Sequence, residues 1–126
     1  ASLNALMEVN PDFTPRSLLD IGAGPGTATW AAAEAFASLD AFTLLDANAA
    51  LRDLAIDLAQ SSPRLASMRY EPGDARKLLA EAPEADFVVA SYVINELGDS
   101  ERAALTEAMW AKTRNTLLVV EPGTPA

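Results

Sequence analysis

Short apolar runs alternate along the chain with longer stretches of helical spacing. The runs Ser17 to Ile21, Phe42 to Leu45, Ala66 to Tyr70, Phe87 to Ser91 and Thr116 to Val120 read as strands. Between the first two, Ala28 to Leu39 is alanine-rich and favours helix. Asn48 to Gln60 places Leu51, Leu54, Ala55 and Leu58 on one helical face, which is predicted to cover the sheet, with Arg52, Asp53 and Asp57 on the others. Gly98-Asp99-Ser100 is a turn and N-cap signal, after which Leu105, Ala108, Met109 and Lys112 recur at helical spacing. Trp110 lies off the centre of that stripe; Trp30 and Trp110 are both read as packing helices against the sheet. Residues 1–16 read as the end of a preceding helix and an extended lead-in broken by Pro11 and Pro15, and residues 17–126 as the body of the domain. Strands alternating with helices predict an α/β fold with one parallel sheet.

The first strand leads into the most informative segment, Leu18-Leu19-Asp20-Ile21-Gly22-Ala23-Gly24-Pro25-Gly26-Thr27. An acid is followed by glycine at every second position and then by helix-favouring residues, the layout of the first unit of a nucleotide-binding α/β sheet. Twenty positions after Gly26, the second strand ends on Asp46, where such folds hold the two hydroxyls of a ribose. The implied ligand is a nucleoside. A dinucleotide fingerprint would need glycine at position 27, which is Thr27, so a nicotinamide oxidoreductase is disfavoured. The spacing G-x-G-x-G preceded by an acid instead resembles the first motif of class I S-adenosylmethionine-dependent methyltransferases. That cofactor carries a sulfonium and an ammonium. Carboxylates at strand ends, with Asp20, Asp46, Asp74 and Glu96 as candidates, would attract it and would repel the phosphates of a dinucleotide.

Composition narrows the chemistry further. At 126 residues the chain is one domain, read as a piece of a longer protein because it starts at Ala1 with no initiator methionine or signal-like segment and stops just after Glu121-Pro122-Gly123, and read as soluble for want of a membrane-length apolar run. No apolar run approaches the roughly 20 residues of a membrane-spanning helix. The absence of cysteine and histidine removes disulfides, thiolate metal sites, the commonest zinc ligand and the commonest general base, so no metal is expected. With 9 basic and 18 acidic residues the net charge is -9, which opposes binding to phosphate backbones. A nucleic-acid substrate would need basic surface from another part of the parent protein; otherwise the acidity serves solubility.

Asp20, Gly22, Ala23, Gly24 and Gly26 are candidates to surround the methionine half of the cofactor, Asp20 reaching its amino group directly or through water. The competing reading is a ligand-free strand-to-helix turn. Asp46 would accept from the ribose hydroxyls, with Ala47 and Asn48 beside the adenine, although Asp46 and Asn48 are each also plausible helix caps. Gly73-Asp74-Ala75-Arg76 follows the third strand, where these methyltransferases place an acid on the adenine amine; a turn with a cap fits equally. Ser91, Tyr92, Asn95 and Glu96 close the fourth strand on the ligand edge, and Tyr92, Asn95 and Glu96 are the catalytic candidates. Glu96 could take a proton from an acceptor or stand as an exposed helix-start carboxylate. No Asn-Pro-Pro-Tyr or Asp-Pro-Pro-Tyr occurs, which weighs against transfer to an exocyclic base amine or to glutamine, and the missing cysteine weighs against attack on a pyrimidine C5. Methyl transfer is an in-line displacement governed by positioning, so it survives the lack of histidine.

Three blocks together, residues 19–32, Ser91-Tyr92-Val93-Ile94-Asn95-Glu96-Leu97 and Val120-Glu121-Pro122-Gly123-Thr124-Pro125, resemble a narrower group. This is the small-ribosomal-subunit methyltransferase-like family, represented in mitochondria by methyltransferase-like protein seventeen and also found in bacteria. The match runs from Pro15 to Pro125. The resemblance implies S-adenosylmethionine bound at Asp20, Gly22, Gly24, Gly26, Asp46 and Asp74, and a role in assembling the small ribosomal subunit. Ribosomal RNA or a ribosome-associated target would be the acceptor. It also implies a Rossmann-like core truncated before the usual final two strands, hence a sheet in the order 3-2-1-4-5 with the fifth strand at an edge. Members carry a cysteine cluster associated with an iron-sulfur site beyond the Glu-Pro-Gly-Thr-Pro block, outside these residues. Alternatives are a non-catalytic assembly factor that keeps the pocket and a small-molecule methyltransferase. The alanine-rich composition suggests a bacterial, cytoplasmic member; a eukaryotic one would be mitochondrial.

Overall fold

Five strands and four helices alternate along the described residues, 12–91 and 98–120, of the computed structural model. In chain order they are β1 (Ser17–Ile21), α1 (Thr27–Ala35), β2 (Ala41–Asp46), α2 (Ala49–Ala59), β3 (Arg69–Pro72), α3 (Ala75–Glu81), β4 (Ala85–Ser91), α4 (Asp99–Ala111) and β5 (Thr113–Val120). The strands form one sheet in the order β3-β2-β1-β4-β5, as predicted, and all four neighbouring pairs are parallel. Strand order reverses between β1 and β4. In open parallel sheets the crevice beyond the carboxyl ends at that reversal is where ligands bind.

Alternation of side chains divides the core into two layers. Leu18, Leu44, Tyr70, Phe87 and Val89 face one side, against Ala32 and Ala33 of α1 and Ala55 and Ala59 of α2. Leu19, Ile21, Leu45, Val88 and Ala90 face the other, against Leu79 of α3 and Leu105 and Met109 of α4. Burial on both faces explains why the strand sequences run apolar without interruption. A carboxylate breaks the first layer. Asp20 sits in β1 with no exposed surface, in register with Leu44 of β2 on one side and Val89 of β4 on the other.

The lead-in contributes to the core. Phe13 is buried and meets Phe36 and Phe87 edge-on, with ring centroids 5.3 and 5.5 Å away, and Phe36 meets Phe87 at 5.6 Å. Such edge-to-face triplets stabilise beyond area burial alone. Residues 1–11, predicted to hold the end of a preceding helix, lie outside the described residues.

Several boundaries and faces differ from expectation. The third strand begins at Arg69 rather than Ala66, because Ala66 and Met68 donate backwards to Ser62 and Leu65 in a turn. The first helix stops at Ala35 rather than Leu39, where Phe36 turns to extended backbone. On α2 the buried stripe is Ala55 and Ala59, while Leu54 and Leu58 are 47% and 48% exposed. Two alanines four apart let the helix sit close to the sheet, and that choice rotates the two leucines outward. Trp110 is 61% exposed: α4 buries Leu105 and Met109, and the next residue points about 100° away. Trp30, by contrast, is half-buried against the core as predicted.

Candidate functional site

The segment after β1 turns sharply before α1. Gly22 and Ala23 both donate to the Leu45 carbonyl of β2, at 2.8 and 3.1 Å, and Gly26 donates to Ala23 at 2.9 Å. Gly22, Gly24 and Gly26 all have positive φ, at 70°, 57° and 94°. The need for glycine is plainest at Gly24, the apex. There a side chain would be strained by the backbone, yet would find only Leu51 Cδ1, 4.0 Å from a Cβ. The apex thus presents bare backbone to open space. Gly26 is the N-cap of α1 and supplies no side-chain cap.

Asp46 reaches this loop from the end of β2. Its Oδ2 accepts from the Gly24 amide at 2.7 Å and its Oδ1 from the Asn48 amide at 2.8 Å. The two cap candidates separate here. Asn48 is the N-cap of α2, accepting from Ala50 at 3.0 Å, and Asp46 is turned to the loop. The other side of the Gly24 residue is held from β3: the Tyr70 hydroxyl donates to the Gly24 carbonyl at 2.6 Å. Burial, followed by the charges of Asp46 and Asp20, pushes the Tyr70 hydroxyl up to about 12. It remains a proton donor throughout the physiological range.

Beneath the loop lies Asp20. The Thr29 hydroxyl of α1 donates to its Oδ2 at 2.7 Å, while Oδ1 is buried without a hydrogen-bond partner among the described residues. Burial raises its pKa from 3.8 to about 7; the Thr29 hydroxyl and amide pull it down, and Asp46 adds a smaller upward push. A buried carboxylate oxygen left unpaired is costly. A cation or hydrogen-bond donor at Oδ1 would offset that cost and draw the pKa back down. The ammonium of an amino-acid-bearing nucleoside has that chemistry, and the loop that follows Asp20 offers bare backbone at Gly24 for the ligand's chain. The residues present therefore fit S-adenosylmethionine.

Other predicted site residues are distributed around this centre. Ala47 is exposed between Asp46 and the α2 cap. Asp74 is exposed and caps α3, its Oδ1 accepting from Arg76 at 2.9 Å and Lys77 at 3.3 Å, with Ala75 the first helical residue. Ser91 ends β4 in register with Val120. Tyr92, Asn95 and Glu96 lie outside the described residues, as does the Glu121 to Pro125 block. Two residues of the site escape a motif search. Thr29 is one polar position in an alanine-rich helix, and Tyr70 reads simply as a strand residue.

A cavity of about 170 Å³ lined by Thr43, Leu45, Arg69, Glu71, Leu78 and Glu81 opens on the α3 side of the sheet, away from Asp20 and Tyr70. Among the described residues no group of three or more His, Cys, Asp or Glu could hold a metal ion, and no helix is long and apolar enough to cross a membrane.

The family described as mitochondrial small ribosomal subunit Rsm22 matches residues 1–126. The human mitochondrial ribosome assembly protein METTL17 is 34% identical over 122 residues, which are 93% of this chain. The chain spans about a quarter, 26%, of that relative's length. Among solved structures, magnesium protoporphyrin IX methyltransferase (ChlM) from Synechocystis PCC 6803, with S-adenosylmethionine bound, superposes with a TM-score of 0.72 at 19% identity. That match covers 94% of this chain and 54% of the other. A methyltransferase from Geobacter sulfurreducens superposes with a TM-score of 0.70 at 18% identity, over 94% of this chain and 57% of its own. These structures share the fold.

Proposed function

The chain belongs to the mitochondrial small ribosomal subunit Rsm22 family, and from that premise we propose that it is the S-adenosylmethionine-binding methyltransferase domain of a protein acting in small-ribosomal-subunit assembly. The observation that carries the cofactor reading is Asp20, a fully buried carboxylate with one unpaired oxygen beneath a loop of left-handed glycines. A cation satisfies that oxygen. The assembly reading is supported by the family itself and by the human ribosome assembly relative.

In this reading Gly22, Ala23, Gly24 and Gly26 lie along the methionine half of the cofactor, and Asp20 takes its ammonium. Asp46 accepts from the ribose hydroxyls. A carboxylate offers about four acceptor positions, and the Gly24 and Asn48 amides engage one oxygen each. Ala47 sits beside the adenine, with Asp74 and Ala75 toward its amine, and Ser91 and Tyr92 are the further cofactor-binding candidates after β4. Tyr92, Asn95 and Glu96 remain the candidates to act on the acceptor. The cofactor supplies a methyl group on a sulfonium; the chain's part is to orient it for in-line attack and to hold water off. With a net charge of -9, the domain leaves RNA capture to basic segments elsewhere in the parent protein. The alanine-rich composition favours a bacterial, cytoplasmic member over a mitochondrial one.

A second reading keeps the pocket without the transfer. The relative is named an assembly protein rather than a methyltransferase, which favours it. Calorimetric titration of the parent protein with S-adenosylmethionine, S-adenosylhomocysteine and NAD tests the shared premise: the first two should bind and NAD should not. Transfer of a labelled methyl group to small-subunit particles then separates enzyme from cofactor-sensing assembly factor, and cofactor binding without transfer would overturn the enzymatic reading.

A further inference from the structure

We infer that Tyr70 is a positioning residue for cofactor capture, acting through the Gly24 carbonyl to hold the glycine loop in its binding shape before the cofactor arrives. The inference rests on the cofactor reading above and adds a residue that no glycine motif contains.

The Gly24 residue is fixed at both of its polar groups. Its N–H donates to Asp46 at 2.7 Å and its carbonyl accepts from Tyr70 at 2.6 Å. Packing does little at this point, since a Cβ on Gly24 would meet nothing nearer than Leu51 Cδ1 at 4.0 Å. A left-handed glycine without side-chain contacts loses much conformational freedom when it is ordered. The turn closed by Gly26 on Ala23 brackets it, and these two hydrogen bonds fix its own polar groups. One comes from the β2 end and the other from β3, so the apex is tied to two strands of the sheet rather than to its own helix.

The geometry selects tyrosine. Tyr70 lies in register with Leu44, and Leu44 with Asp20, so the three form a row across the sheet, with Leu44 and Tyr70 packed in the same core layer. A donor starting from β3 must reach a loop that leaves β1. Serine and threonine are too short for that span, and phenylalanine has no donor. The charge also matters. A lysine there would pair with Asp46 and Asp20 and cancel the field meant for a sulfonium and an ammonium. The Tyr70 ring is buried, 6% exposed, with only two side-chain torsions to fix. Its hydroxyl supplies a neutral, rigidly aimed donor. Holding the loop in advance removes an ordering cost from binding.

Tyr70→Phe in the parent protein is the test, with affinity read by calorimetry for S-adenosylhomocysteine and for adenosine, which lacks the amino-acid arm. We expect S-adenosylhomocysteine to bind about three- to tenfold more weakly, the scale of one hydrogen bond. Adenosine binding should be unchanged. A merely structural role would leave both affinities unchanged or lower them in parallel, and either result overturns the positioning role while wild-type binding keeps the cofactor reading intact. Failure of the wild-type protein to bind S-adenosylhomocysteine overturns both. Should the variant fail to fold, proton exchange in the wild-type protein gives the answer: without cofactor, the Tyr70 hydroxyl proton, held on the Gly24 carbonyl, should exchange slowly. Fast exchange there overturns the inference.

Discussion

Replacing Asp20 by asparagine isolates the energetic cost of the buried carboxylate. The asparagine side chain would keep an acceptor for the Thr29 hydroxyl, which lies 2.7 Å from Asp20 Oδ2, and would remove the charge. In the cofactor-free protein the Asp20 pKa is raised on folding from 3.8 to about 7, chiefly by burial. Between those values the folded state holds a proton that the unfolded chain has released. The stability tied to that proton is fully present below the unfolded value and lost as pH rises through the folded one. At 1.36 kcal/mol per unit, the shift from 3.8 to about 7 corresponds to roughly 4 kcal/mol. Urea unfolding of wild type and Asp20→Asn, from pH 4 to 8, gives the difference directly because all other titrations cancel. Relative to wild type, the variant should gain stability steadily up to about pH 7 and then level off, while its affinity for S-adenosylmethionine collapses. A difference that stays flat, or that shrinks as pH rises, would refute the argument that Asp20 is an uncompensated buried acid.

Gly24→Ala should cost about 1 to 2 kcal/mol in thermal stability for its left-handed backbone and should block S-adenosylhomocysteine in calorimetry, since the methyl projects into the open apex; retained affinity would move the ligand away from the loop. Asp46→Ala should weaken that ligand by about 1 to 3 kcal/mol, whereas Asn48→Ala should leave affinity intact and cost about 1 kcal/mol of stability as a lost cap. Equal effects of the two on binding would reduce Asp46 to part of a helix start. Arg64→Ala should cost about 1 to 3 kcal/mol in urea unfolding without altering binding, because the guanidinium serves the Ala33, Phe36 and Leu39 carbonyls at 2.8, 3.1 and 2.8 Å where α1 ends. No loss of stability would mean that water replaces it freely.

The strands and the glycine loop were legible because each rests on local signals, namely apolar runs, an acid before G-x-G-x-G, and a second acid ending the next run; the sheet order came with the family resemblance that those signals carry. Asp46 was legible as a residue but not as a partner of Gly24, because that contact depends on parallel pairing of β1 with β2. The Tyr70 bond spans 46 residues and two strand pairings, so no window of sequence contains it. Periodicity misjudged α2 because it weights leucines over alanines, and the sheet accepted Ala55 and Ala59 for their small size. It also does not single out α3, a helix of 7 residues, too short to express a face. Arg64 reads as a surface charge in a polar turn, yet it reaches across to satisfy the carbonyls at the end of α1.

The place of β1 in the sheet sets a timetable for synthesis. Its first neighbour arrives early, Phe42 pairing with Leu18, but its second neighbour presents Phe87 to that same leucine 45 positions later in the chain. At roughly 5 to 20 residues per second, the far edge of β1 stays unpaired for several seconds after β2 has docked. Throughout that wait the glycine loop, Asp46 and, once β3 emerges, Tyr70 can already be assembled, while an apolar strand edge lies open to any passing chain. Arrival of β4 closes that edge and completes the crevice in one event. The capacity to hold a ligand is therefore a late acquisition of the nascent domain, and it reports that the most distant pairing has been made.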